Sequence, residues 1–450
     1  MRFLVLSLIA AATPASPQPA PMTLRQAVAR ALERYPAVKI SEERTAEAAA
    51  GIRLARTAFL PRVDVLAQLN RATRNNVYGM LLPQSVIPAI SGPPLHSNSP
   101  TNVWGSAVGF LVNWEPFDFG LRKAAVAAAE TVRRRAETAI ARTKLEVATR
   151  AADAFLTILA ADQTLMAAEA GVARARALDE VVTTLVRVEL RPGVDAARTR
   201  AEVALAQTQR IQATQAAAVA RAALGELLDV PGSGIAVEGS RWLSGPDAEP
   251  APAGPPAHPA LDEQKAAIEE ARARRKTLER AWFPRFNLQA ASYARGTGAH
   301  PDFNTGGAAS GLGPNIYNWG VGFSVSLPVM DFAAVGARRE AELHRMRAEE
   351  GRHRELELEL AARLEKARAA LTGARDVARN TPVQLEAVRA AGEQATARYK
   401  AGLGNIVDVV ETERLRTQTE IDDRLAKLGV WRARLSVAAA EGSLDVLLDE

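Results

Sequence analysis

The sequence predicts a mixed α and β membrane protein, a tandem-repeat chain that supplies four β-strands and long coiled-coil-like α-helices. Three observations support this fold class. Short motifs occur twice along the 450 residues. Four segments have the length of strands that cross a membrane, and one of them, 317–327, alternates bulky apolar residues with Asn, Gly and Ser. Two of these segments lead into Ala/Arg/Glu-rich stretches that are almost free of proline.

The N-terminal segment has the features of an export signal. Arg2 supplies a positive charge, residues 3–12 form an apolar run, and residues 13–15 are small enough for cleavage, so we assign residues 1–15 to a signal peptide. The apolar run is too short to cross a bilayer as a helix. No later stretch has 18 or more apolar residues. If the mature chain crosses a membrane, its strands must do so.

The composition argues against several function classes. The chain has no cysteine, which excludes disulfides and thiol catalysis. Its net charge is +5, but Arg and Glu alternate along the helical segments, so we expect solvated helix surfaces and no nucleic-acid partner. Nucleophile-elbow, phosphate-loop and zinc-ligand spacings are missing, and Glu350 and His353 have no second pair with which to bind two metals. We therefore expect no enzymatic activity, no catalytic residues, no cofactor and no metal site.

Repeated motifs divide the chain into two halves. The matched segments are 35–37 with 258–260 and 58–62 with 281–285 at a spacing of 223, then 108–110 with 321–323, 118–119 with 331–332 and 195 with 408 at a spacing of 213. The ten extra residues fall in a Pro/Ser/Asn-rich stretch, 82–102, that predicts a surface loop. We assign residues 16–230 to the first repeat, 231–256 to a Pro/Gly-rich linker, and 257–450 to the second repeat.

Each repeat is expected to begin with a helix, a strand, a loop and a second strand. The predicted strands are 63–71, 104–114, 286–293 and 317–327, close to the 9–11 residues that a tilted strand needs to cross a bilayer. Bulky apolar residues alternate with Asn, Gly and Ser in the last of them. Because four strands cannot close a barrel and open edges are unfavourable in lipid, other copies must complete the sheet. The alternative is a soluble sheet that packs on helices.

A long helix, a sharp turn and a returning helix are expected to complete each repeat. About 70 residues without proline precede Arg191, enough for a helix of about 100 Å. Such a helix persists only with partners along its sides, so coiled-coil-like pairing is implied. The predicted turns are 191–193 and 400–405, and Pro382 is a predicted kink in the second long helix.

The chain resembles the TolC-like outer-membrane efflux proteins, the outer-membrane component of tripartite efflux and type I secretion systems. The resemblance rests on MTLRQAVARALERYP at the start, an aromatic residue or Leu followed by Pro before two strands, VGFSVSLPVMDF, and YKAGLGNIVDVVETE at the second turn. It implies a homotrimer with a 12-stranded barrel in outer-membrane lipid and a periplasmic tunnel of 12 helices. Its partners would be a periplasmic membrane-fusion adaptor and, through it, an inner-membrane pump. Small-molecule or metal efflux is the favoured function, and a periplasmic coiled-coil structural or adaptor protein is the alternative.

The resemblance also implies roles for residues at the two turns. Asp408 and Glu411 would line a lumen constriction, and their i, i+3 spacing places both on one helix face; the alternative is that both are merely solvated. Tyr399 and Asp195 would form a latch of the closed state. The family's latch arginine falls on Gly404, and its first-turn glycine falls on Glu189. The residues expected to contact the adaptor are Arg191, Pro192, Gly193, Ala401, Gly402, Leu403 and Gly404.

Overall fold

The computed structural model describes residues 21–73, 100–244, 258–300 and 304–449. The predicted signal peptide, most of the predicted 82–102 loop and the second half of the linker lie outside these ranges. The helices are α1 Leu24–Arg34, α2 Pro36–Thr57, α3 Leu121–Arg187, α4 Gly193–Leu228, α5 Pro259–Leu278, α6 Phe332–Lys400, α7 Ile406–Glu441 and α8 Asp445–Asp449. The strands are β1 Arg62–Thr73, β2 Asn102–Phe117, β3 Arg285–Thr297 and β4 Ile316–Ser326.

The helix ends around the two turns follow the repeat. We call α3 with α4 the first hairpin and α6 with α7 the second hairpin. Three pairs of helix ends are separated by the same number of residues as Asp195 and Asp408. They are the last residues of α3 and α6, the first residues of α4 and α7, and the last residues of α4 and α7. We call this separation the repeat spacing. Pro382 lies inside the continuous α6. Among the described helices, none is both long and apolar enough to cross a membrane.

The strands are longer than the sequence predicted, except at one end. Pairing of β1 with β2 reaches as far as Thr73 and Asn102, because both strands continue past the predicted ends. A register shift between Trp114 and Phe117 lets β2 pair with β3 again beyond Pro116, which cannot donate a hydrogen bond. Leu327, which we expected in the last strand, lies just outside β4 and directly before Pro328.

The described residues divide into two compact units. The sheet unit comprises the described parts of 44–136 and 264–352, and the helical unit comprises those of 1–43, 137–263 and 353–450. Helices α2, α3, α5 and α6 contribute residues to both units.

The sheet unit has two chemically different faces. Its four antiparallel strands follow the order β1-β2-β3-β4. The register aligns Val65, Phe110, Ser292 and Trp319 across the sheet, and the neighbouring row aligns Val63, Val112, Ala290 and Val321. The opposite face carries rows such as Asn113, Gln289 and Gly322. The apolar face is largely uncovered, since Trp319 is 82% exposed.

A buried ion pair marks the junction between β2 and α3. The Asp118 carboxylate accepts hydrogen bonds from the backbone N–H of Gly120 (3.1 Å) and of Arg122 (2.7 Å), which satisfies free donors at the start of α3. The Arg122 guanidinium binds the same carboxylate at 2.8 Å and the carbonyl of Ala58 at 3.1 Å. These contacts hold the end of β2, the start of α3 and the segment after α2 together.

The helical unit is built around one main hydrophobic core. Fully buried Phe155 and Leu156 of α3 pack with Leu224 and Leu228 of α4 and with residues of α1, α7 and α8. The sequence prediction missed the role of the linker, because Ile235 and Trp242 in its described part, 231–244, belong to this core. Trp242 is buried against Trp431, with ring centroids 4.6 Å apart. The first half of the linker is therefore a packed segment as well as a connection.

Candidate functional site at the helical turns

The turn between α3 and α4 is a C-terminal cap built from backbone hydrogen bonds. The N–H of Leu190 donates to the carbonyl of Leu185 (2.9 Å), and the N–H of Glu189 donates to that of Val186 (3.0 Å). This pair of bonds is the Schellman motif, which needs a left-handed residue at its centre. Glu189 takes that conformation, with φ of 60°. A glycine would adopt it without strain.

The turn between α6 and α7 repeats this geometry. The N–H of Leu403 donates to the carbonyl of Arg398 (2.9 Å), and the N–H of Gly402 donates to that of Tyr399 (3.0 Å). Gly402 has the left-handed φ of 81° and is related to Glu189 by the repeat spacing. The same motif therefore ends both long helices, with glycine at its centre in the second turn and glutamate in the first.

Tyr399 connects the two hairpins. Its side chain is 1% exposed and packs against Val182, Ala196, Ile406 and Val409. Its hydroxyl donates a 3.1 Å hydrogen bond to the carboxylate of buried Asp195, near the start of α4. Burial and this hydrogen bond raise the pKa of Tyr399 to about 12. The phenol therefore remains protonated, and a hydrogen-bond donor, at neutral pH.

Arg191 contacts the same tyrosine from the other side. Its guanidinium lies 4.3 Å from the centroid of the Tyr399 ring and donates to the Tyr399 backbone carbonyl. Arg191 is half-buried, whereas its neighbours Pro192 and Gly193 are exposed. Sequence reasoning assigned Arg191 only to adaptor contact. The sequence nevertheless contained a signal for this contact. The repeat spacing relates Arg191 to Gly404, the position of the second repeat on which the family's latch arginine falls.

The other predicted site residues lie around this pair of turns. Asp408 and Glu411 are both exposed on α7, whereas Ile406 and Val409 of the same helix face the hydrophobic cluster. Exposed residues of the predicted adaptor surface include Pro192, Gly193, Ala401, Gly402 and Leu403. Gly404 is half-buried, because its backbone lies against Tyr399 and Arg398. The structure thus brings Tyr399, Asp195 and Arg191 together and leaves Asp408 and Glu411 in solvent.

A second set of polar contacts joins the hairpins further along the helices. Arg174 of α3 binds the Thr417 hydroxyl at 2.8 Å and the carboxylates of Glu420 at 3.0 Å and Glu413 at 3.2 Å, all on α7. Arg416 also approaches Glu420, at 3.3 Å. A cavity of about 360 Å³ lies beside this network, between α3, α4 and α7. Sequence reasoning did not find these contacts, since Arg and Glu occur throughout the helices.

Comparison with models of protein families identifies the family that has this architecture. The model of the outer membrane efflux protein family matches residues 27–229 and 257–443, which include both sets of strands and both hairpins. The chain belongs to the outer membrane efflux protein family. This efflux protein is therefore an outer-membrane protein with its helical part in the periplasm, as the sequence predicted. The predicted resemblance and fold class are confirmed as well.

Solved outer-membrane proteins share the fold of this efflux protein at low sequence identity. The outer membrane protein VceC of Vibrio cholerae is 14% identical over 93% of this chain and 96% of its own, with a TM-score of 0.71. The Campylobacter jejuni CmeC outer membrane channel is 14% identical over 93% and 85%, with a TM-score of 0.72. The Neisseria gonorrhoeae MtrE channel, solved in its open state, is 17% identical over 93% and 89%, with a TM-score of 0.70. Among curated proteins no match was found.

Proposed function

We propose that three copies of this efflux protein form the exit channel of a tripartite efflux or type I secretion system. The observation that carries the proposal is the open sheet, whose apolar face and two outer edges are uncovered in the part of the chain that the structure describes. Backbone groups at such edges need partners in lipid, where water cannot supply them. Pairing of β4 in one copy with β1 in the next satisfies both edges. Three copies then supply twelve strands.

The two faces of the sheet suit the two sides of such a barrel. Val65, Phe110, Trp319 and Val321 share the face that would meet lipid. The other face, with Asn113, Gln289 and Gly322 in one row, would line a water-filled passage. Alternation of apolar residues outward and polar residues inward is the general pattern of outer-membrane barrels.

The helical turns are suited to docking a periplasmic partner. Leu190 and Leu403 are 69% and 74% exposed, although both are large apolar side chains in short turns. Contiguous exposed apolar patches rimmed by polar residues are typical of protein interaction sites. We assign this surface to a membrane-fusion adaptor, which would link the channel to an inner-membrane pump. The predicted adaptor-contacting residues of both turns belong to this surface.

The channel would be controlled at the turns. Three copies of Asp408 and Glu411 would form two rings of carboxylates around the axis, and Tyr399 with Asp195 would hold each protomer closed. The MtrE channel, which shares this fold, has been solved in an open state. This supports our proposal that the channel changes between a closed and an open conformation. We favour small molecules or metal ions as cargo, with their selection made by the pump and adaptor.

One pair of neighbouring substitutions tests the orientation of the barrel. Val321→Lys would place a charge on the lipid-facing side in the middle of β4, at a cost of about 2–4 kcal/mol. Gly322→Lys would place the same charge on the lumen side, where a side chain has open space. We expect Val321→Lys to reduce the yield of membrane-inserted oligomer and Gly322→Lys to insert normally with altered conductance. Equal yields of the two variants, or full solubility of the wild type without detergent, would contradict the proposal.

A further inference from the structure

We infer that Arg191 is a second latch residue, which holds Tyr399 in place from the first hairpin and keeps the two turns together. The inference rests on the proposed channel, because it concerns the closed state of that channel. It changes the role of Arg191, which the sequence assigned only to adaptor contact. Arg191 also supplies a cation at the two turns, where Gly404, at the position of the family's latch arginine, has no side chain.

The repeat explains where this cation is. The repeat spacing relates Arg191 to Gly404, and each lies two positions after the left-handed centre of its turn, Glu189 or Gly402. The resemblance places a latch arginine at position 404 of the second turn. In this chain the arginine stands at the equivalent position of the first turn. The contact between hairpins is thus retained, but its cation comes from the opposite hairpin.

The two contacts of Arg191 favour a guanidinium group over the ammonium group of a lysine. The Tyr399 carbonyl belongs to the last turn of α6, where the helix dipole concentrates negative partial charge. Arg191 donates to this carbonyl and also lies 4.3 Å from the ring centroid, over the electron-rich face of the tyrosine. A planar guanidinium can make both contacts at once, whereas an ammonium is a compact point charge.

Arg191 and Asp195 bind different parts of one residue. Asp195 accepts the phenol hydroxyl, and Arg191 covers the ring and the carbonyl. Both belong to the first hairpin, and Tyr399 belongs to the second. Because Tyr399 is 1% exposed, water does not compete for these contacts. Separation of the two turns therefore requires both residues to release Tyr399.

The position of Arg191 also links docking to opening. Arg191 lies in the turn that we assign to the adaptor surface, next to exposed Pro192 and Gly193. An adaptor group that binds the guanidinium would draw it away from the Tyr399 ring. Docking at the first turn would then weaken the closed state directly.

Conductance of the full-length trimer in planar bilayers tests this inference. We expect Arg191→Ala and Asp195→Ala each to raise the mean conductance at least twofold, and Arg191→Lys to give an intermediate value. Arg198→Ala removes an exposed arginine of α4 and is the matched control, with conductance expected within experimental error of wild type. Methylguanidinium in the bath should reverse the effect of Arg191→Ala while leaving Asp195→Ala unchanged, which a general loss of structure would not do.

The outcomes separate this inference from the proposed function. A wild-type protein that forms no pore overturns both. A pore that opens further with Asp195→Ala but not with Arg191→Ala overturns the role of Arg191 alone. If Arg191→Ala does not assemble, Arg191→Gln replaces it, because glutamine keeps a donor but no charge. Unchanged conductance of an assembled Arg191→Gln trimer would then overturn the inference.

Discussion

The hydroxyl of Tyr399 donates a 3.1 Å hydrogen bond to the carboxylate of Asp195, and both side chains are buried between the two hairpins. Loss of a buried hydrogen bond that leaves one partner unsatisfied costs about 1–3 kcal/mol. We therefore predict that Tyr399→Phe weakens the closed state and raises single-channel conductance. Adding Asp195→Ala removes the carboxylate that Tyr399→Phe leaves unsatisfied, but conductance should stay above wild type because the bond between the hairpins is still absent. Unchanged conductance in the double variant would exclude this pair from the gate.

The left-handed residues at the centres of the two turns lead to opposite predictions, because one substitution introduces glycine and the other removes it. Glu189 carries a side chain at φ of 60°, which costs about 1–2 kcal/mol for most residues. Glu189→Gly should therefore tighten the first turn, by at most about 1 kcal/mol because glycine also makes the unfolded chain more flexible. Gly402→Ala should loosen the second turn, because alanine is strained in the left-handed conformation. A steric clash does not contribute, since an added Cβ meets only Arg191, at 4.0 Å.

Hydrogen exchange at the turn amides measures both effects. Protection of the Leu190 N–H should increase in Glu189→Gly, and protection of the Leu403 N–H should decrease in Gly402→Ala. Each turn serves as the internal control for the other. Lower protection of Leu190 in Glu189→Gly would show that Glu189 makes a stabilising contact that outweighs its backbone strain.

Charge at the proposed constriction should control ion selectivity. Three copies of Asp408 and Glu411 would place six carboxylates near the axis, so the pore should prefer cations at neutral pH and bind multivalent cations through carboxylate oxygens. We predict that Asp408→Asn with Glu411→Gln abolishes cation selectivity and multivalent block, measured as reversal potential in a salt gradient. If both properties survive, these residues face solvent outside the lumen.

His258 should make the helical unit less stable in acid. Its Nδ1 accepts a 3.2 Å hydrogen bond from the N–H of Ala260 in the first turn of α5, which requires an unprotonated Nδ1. Burial, with Arg363 and Arg142 nearby, lowers the pKa of His258, although its bond to the backbone of Ala439 opposes the change. The folded state therefore binds the proton less readily than the unfolded state. The stabilisation is complete above about pH 6.5 and is lost as the pH falls through the lower folded-state pKa.

His258→Asn is the matched variant for this prediction. Asparagine is a good N-cap and does not titrate, so it keeps the acceptor and removes the proton-binding group. We predict that the thermal midpoint of the wild type falls more than that of His258→Asn between pH 7.5 and pH 5. A constant difference between the two midpoints over this range would show that His258 does not contribute to the pH dependence.

The repeat made most of the fold predictable from the sequence. One constant spacing relates the ends of the two hairpins, and the repeat together with segment length identified all four strands, although their ends depended on pairing with neighbours. The resemblance identified Tyr399 and Asp195, which the structure brings into contact. Arg191 was missed because its contact depends on the orientation of a long side chain across two turns. Trp242 was missed because Pro and Gly dominate its segment, although a large aromatic residue there indicates burial.

The proposed function requires three copies of the chain to close one barrel in the outer membrane. Full-length protein extracted from outer membranes in detergent should appear in particle images as a single species with threefold symmetry and a closed ring of twelve strands. Each chain would then contribute its four strands, with β4 of one copy beside β1 of the next. A monodisperse monomer that remains soluble without detergent, or a particle without threefold symmetry, would contradict the account.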